Sequence, residues 1–80
     1  MIEFSKSPAA PSPASVIAGF ADQGVTLPLR LSDEDIGVVL DADGRDVLTV
    51  DSNGERPDEQ ASAIALMIVS AVNAAASLEQ

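Results

Sequence analysis

The sequence predicts an α+β domain: a three-stranded antiparallel sheet packed against a long C-terminal helix, with a short N-terminal helix beside it. Three observations carry this expectation. Apolar and polar residues alternate through residues 25–31, the period of a half-buried strand. Two more apolar runs flank Asp41-Ala42-Asp43-Gly44, whose chemistry is that of a tight turn. Residues 61–78 then run without a charge and rich in alanine, long enough for about five turns of helix.

The elements follow in order. Pro8 and Pro11, with Pro13, interrupt any regular ladder or helix, so residues 1–12 are expected as a flexible arm and residues 13–80 as one domain. Ser12 suits an N-cap, Pro13 the first helical position and Gly24 the residue past the last turn. Between them Val16, Ile17 and Phe20 share a face. In the first strand Val25, Leu27, Leu29 and Leu31 point one way and Thr26, Pro28 and Arg30 the other. Pro28 has no N–H to donate and places that strand at an edge.

Residues 36–41 and 45–51 form a hairpin. Asp41 and Gly44 occupy the positions that a type I turn favours for them, and a left-handed Gly44 matches the twist of the strands. The expected register sets 38 opposite 48 and 36 opposite 50, so Ile36, Val38, Leu48 and Val50 share a face. Asp51-Ser52-Asn53-Gly54 repeats the turn grammar. A helix over residues 57–78 follows, with Asp58 and Glu59 at its positive dipole end. Its expected core stripe is Ile64, Ile68, Ala71, Val72 and Ala75. The other side carries Leu66, Met67, Val69 and Ala74, so this helix calls for cover on more than one side.

Composition narrows the chemistry. An 80-residue chain buries only about 60% of its unfolded surface, and chains this small often lean on a disulfide, a metal or a second copy. Cys and His are absent, which removes the disulfide and the usual zinc ligands and leaves oligomerisation; no cofactor is expected. Without His, Cys, Tyr or Trp, and with Lys6 as the sole lysine, the chain is not expected to be an enzyme. Four basic residues and two Phe disfavour direct nucleic-acid binding. The prolines after Lys6 do not read as a secretory leader. Residues 61–78 reach the lower edge of a membrane span, yet Ser62, Ser70, Asn73 and Ser77 interrupt them and the flanks are acidic, so a buried helix is expected instead.

Charge is concentrated. The net charge is -9, and residues 33–59 set ten acids against Arg45 and Arg56, a local balance of -8. The Asp-rich turns resemble the start of a calcium loop, but neither Gly44 nor Gly54 as the sixth loop residue puts a Glu at the twelfth, where Val50 and Gln60 stand. Turn chemistry accounts for both segments. Paired carboxylates for sugar hydrolysis lack a stacking aromatic. What remains is either solubility or a negative face aimed at a basic partner.

Residues 40–51, LDADGRDVLTVD, followed by 56–73, RPDEQASAIALMIVSAVN, look like small phage and prophage proteins that turn on a DADG-like hairpin and end in an Ala-rich helix. The resemblance covers about residues 36–75, half the chain. Among phage proteins of this size and acidity it is most similar to the anti-CRISPR proteins, several of which are acidic and keep a Cascade-type complex off DNA. The resemblance implies a phage-encoded inhibitor in the cytoplasm of a bacterial host. Its partner would be a basic host protein or CRISPR effector complex. From this sequence alone, the residues expected to meet that partner are Asp33, Glu34, Asp35, Asp41, Asp43, Asp46, Asp51 and Glu55. The alternative expectation is a homodimeric structural or assembly module, paired through residues 61–78, whose acids serve solubility.

Overall fold

A computed structural model describes residues 13–78, with side chains from residue 16 onward. The expected arm, its Ser12 cap and Glu79 lie outside the described residues. Helix α1 (Pro13–Asp22) leads to strand β1 (Arg30–Leu31), then β2 (Val38–Leu40), β3 (Asp46–Thr49) and helix α2 (Asp58–Ser77). The strands form one antiparallel sheet in the order β1-β2-β3. This is the α+β architecture that the alternating and helical periods predict.

Helix α1 stops where Gly24 allows it to. The Val25 N–H donates to the Phe20 carbonyl at 2.9 Å and the Gly24 N–H to the Ala21 carbonyl at 3.0 Å, with Gly24 at φ 81°. This pair of bonds closes the helix end and needs a left-handed residue at that position. α1 packs against α2, with Val16 and Phe20 half-buried.

The expected strand over residues 25–31 contributes only Arg30 and Leu31 to the ladder. The inward and outward alternation is present, with Leu29 buried and Thr26, Pro28 and Arg30 exposed. The ladder starts late because Leu29 bonds elsewhere. Its N–H donates to Asn73 Oδ1 at 2.8 Å, and its carbonyl accepts from Asn73 Nδ2 at 2.9 Å. α2 thereby holds this segment side chain to backbone. The strand is an edge strand, as expected, although Pro28 itself lies before the ladder begins.

The hairpin register differs from expectation beyond its first pair. Leu40 faces Asp46, as a three-residue loop predicts, but Val39 then faces Leu48 and Val38 faces Thr49. A bulge inserts one extra residue, Val47, into β3. A one-residue shift turns the opposite face inward, so Val39 replaces Val38 in the core and Ile36 is left exposed. The Val50 N–H closes this register by donating to the Gly37 carbonyl at 2.8 Å. Gly37 sits at φ 78°, and a Cβ there would lie 2.8 Å from the Val50 carbonyl oxygen, so glycine alone fits.

The core is formed by Leu29, Val39, Ala65 and Val69, with Val25, Leu27, Leu31, Val47, Leu48, Val50 and Val72 around it. Val39, on the central strand, is fully buried against Ala65, whose small side chain lets α2 approach the sheet. The buried stripe of α2 is Ala61, Ala65, Val69 and Ala76, about one position round from the expected one, and Ala71 faces outward. Alanines made the sequence pattern nearly uniform around the helix, so the choice of face fell to packing against Leu29 and Val39. α2 begins after Pro57 with no side-chain cap; Asp58 and Glu59 supply negative charge at its first turn.

Candidate functional site

The eight acids singled out above fall at opposite ends of the sheet. The β1–β2 loop holds Asp33, Glu34 and Asp35, all exposed. Ser32 Oγ shapes that loop by accepting the N–H groups of Glu34 and Asp35, each at 3.1 Å. Since β2 and β3 are antiparallel, the β3–α2 turn with Asp51 and Glu55 lies at the same end, and so does the start of α2 with Asp58 and Glu59. Seven acids against Arg56 give this pole a balance of -6.

Asp41 and Asp43 are at the other end, in the β2–β3 turn, with Asp46 at the start of β3. Arg30 and Arg45 accompany them, and the Arg30 guanidinium lies over Gly44. Three acids against two arginines leave the sheet residues at this end with a balance of -1, and Asp22 at the end of α1 brings it to -2. The three residues of β2 set the ends roughly 10 Å apart at the strand itself, about a Debye length at physiological salt. A single row of carboxylates along the hairpin is therefore not what the fold builds; it builds one strongly acidic pole and one nearly neutral end.

Two of the eight are engaged within the fold. Asp41 is 1% exposed. Its Oδ1 accepts the N–H groups of Asp43 and Arg45, both at 2.9 Å. The Arg45 N–H bond is the main reason that its carboxyl is held below the ordinary value of 3.8; burial opposes the shift and the Asp43 N–H adds to it. Asp41 is thus a turn-forming residue and leaves the partner-facing set. Asp51 is half-buried at φ 58°, with Oδ1 accepting the Glu55 N–H at 2.8 Å and Oδ2 the Arg56 N–H at 2.9 Å. Both carboxylates stabilise turns that aim their neighbours outward. The exposed members of the set are Asp33, Glu34, Asp35, Asp43, Asp46 and Glu55.

A half-open cleft of about 680 Å³ lies at the neutral end, between α1, residues 24–28, the β2–β3 turn and the last turn of α2. Ile17, Ala21, Val25 and Leu27 make its apolar wall, with Asp43, Arg45 and Ser77 among its polar groups. Its volume is that of a small-molecule site, and the hydroxyls of Thr26 and Ser77 and the carboxylate of Asp43 are among the groups that line it. Among the described residues every buried side-chain polar atom has a hydrogen-bond partner, and no group of three or more acids is placed to hold a metal ion. The residue that sequence reading missed is Asn73. Its only signal was a lone amide in an apolar helix, which becomes meaningful once Leu29 is seen opposite it. No protein-family model, curated protein or solved structure matches this chain.

Proposed function

We propose that this chain is a non-enzymatic inhibitor of the anti-CRISPR type. It binds a basic surface of a host DNA-binding effector complex and blocks target DNA. The observation that carries the reading is charge segregation: a pole of -6 on turns locked by Ser32 and Asp51, beside a nearly neutral end. Asp33, Glu34, Asp35 and Glu55 present carboxylates at fixed positions to Lys and Arg side chains that would otherwise meet phosphate. Rigid turns reduce the ordering cost of binding. The resemblance to small phage proteins that residues 36–75 suggest, read from the sequence alone, supplies the choice of host machinery.

The test is capture of an effector complex from a lysate with an active CRISPR system, using the tagged chain at low and high salt. Wild type should retain the complex at low salt and release it at high salt. The triple reversal Asp33→Lys, Glu34→Lys, Asp35→Lys should lose it, and the double reversal Asp43→Lys, Asp46→Lys at the other end should keep it. Equal capture by both variants would overturn the acidic pole as the binding face. A second reading, a homodimeric assembly module with acids for solubility, is favoured by the uncharged outward face of α2.

A further inference from the structure

Helix α2 has an outward face that a solvated helix seldom shows. Ala63, Leu66, Met67, Ser70, Ala71 and Ala74 are exposed, and the face carries no charge from residue 63 to residue 78. Leu66 is 52% exposed, Met67 63% and Leu78 75%. The same helix has a mean hydropathy of 1.5, yet only 22% of its most apolar stretch is buried. In a chain of net charge -9 an uncharged strip of this length marks a contact surface.

We infer that this face pairs with the same face of a second copy, with the two α2 helices antiparallel about a two-fold axis near Ser70. Charge sets the orientation. The acidic pole of each chain surrounds the start of α2, and the helix is about 30 Å long, some three Debye lengths. Antiparallel pairing keeps the two poles at opposite ends of the dimer, whereas parallel pairing would bring Asp58 and Glu59 of both copies together. Area sets the strength. Residues 63–78 form a strip roughly 24 Å long, and at probe radius a helix pair along it removes on the order of 1,000 Å² from water. That lies at the low end for specific interfaces, the range of weak and transient pairs. A lipid surface fits less well. Ala65, Val69 and Asn73 tie the helix to the sheet, and its start is flanked by acids rather than by the basic anchors of a span. The seam does not depend on the acidic-pole reading; it gives the homodimeric reading its geometry.

Sedimentation equilibrium of the full chain from about 1 to 500 μM tests the pairing. The mass should rise from 8.2 kDa to twice that value, with tighter association in added salt as the two chains' charges are screened. Salt acts in the opposite direction on capture of a basic partner, so the two ideas fail separately. Leu66→Glu with Met67→Glu should stay monomeric throughout while its circular dichroism matches wild type. The chain has no cysteine, so single thiols report orientation. Oxidised Ser70→Cys should cross-link to its own copy and Ala63→Cys should not. A wild type that remains monomeric across the range, or that is monomeric and binds anionic or zwitterionic vesicles, overturns the seam; cross-linking of Ala63→Cys overturns its antiparallel sense.

Discussion

At the scale of single residues, two polar side chains do what a small core cannot. Asn73 joins α2 to residues 25–31 by bonding both backbone groups of Leu29. Asn73→Ala would leave that N–H and carbonyl half-buried and unpaired, at a cost of about 2 kcal/mol. Urea unfolding should show this as a lower midpoint with an unchanged slope. Asp41 makes stability depend on acid. Its folded-state value lies below the unfolded one, so the unfolded chain binds the proton more readily. The contribution is fully present above 3.8 and is lost as pH falls through the lower folded-state value. Asp41→Asn should therefore have a lower urea midpoint near neutrality and a flatter acid limb as pH falls below 3.8.

At the scale of elements, the hairpin depends on one close approach. Gly37→Ala would push a Cβ into the Val50 carbonyl oxygen at 2.8 Å while holding a left-handed backbone. Such a residue costs about 1–2 kcal/mol before any clash, so a loss of about 2 kcal/mol or more is expected, read by thermal unfolding. The bulge at Val47 is the other decisive local feature. It selects Val39 over Val38 for the core and leaves Ile36 exposed. α2 shows the same selection by packing. Leu29→Ala should loosen its hold on the sheet by about 2–5 kcal/mol, since Leu29 is one of four residues at the centre of the core.

At the scale of the whole molecule, the chain is a polarised body. Seven acids gather around the start of α2, a cleft opens near its end, and an uncharged helix face runs between. An antiparallel pair of such chains would display two acidic poles at opposite ends, suited to two basic sites or to two partner molecules. Electrostatic steering should dominate the approach to a basic partner. The association rate is expected to fall by about tenfold or more between low salt and physiological salt, while the dissociation rate changes little. Stopped-flow measurement with the purified effector complex checks this, and a salt-independent rate would point to contacts through apolar surface instead.

The sequence by itself determined the α+β class, the order of the elements and the chemistry of both Asp–Gly turns. Those are local properties, set by period and by residues that tolerate a left-handed backbone. Tertiary structure decided the rest. A bulge carries no local signature that distinguishes it from a regular strand, so the register shifted where Val39 could meet Ala65. An alanine-rich helix offers no single best face, so contact with Leu29 and Val39 chose it. The eight acids read as one run because they are neighbours in sequence. An antiparallel hairpin folds that run back on itself, so sequence neighbours part to opposite ends while distant acids join at one pole.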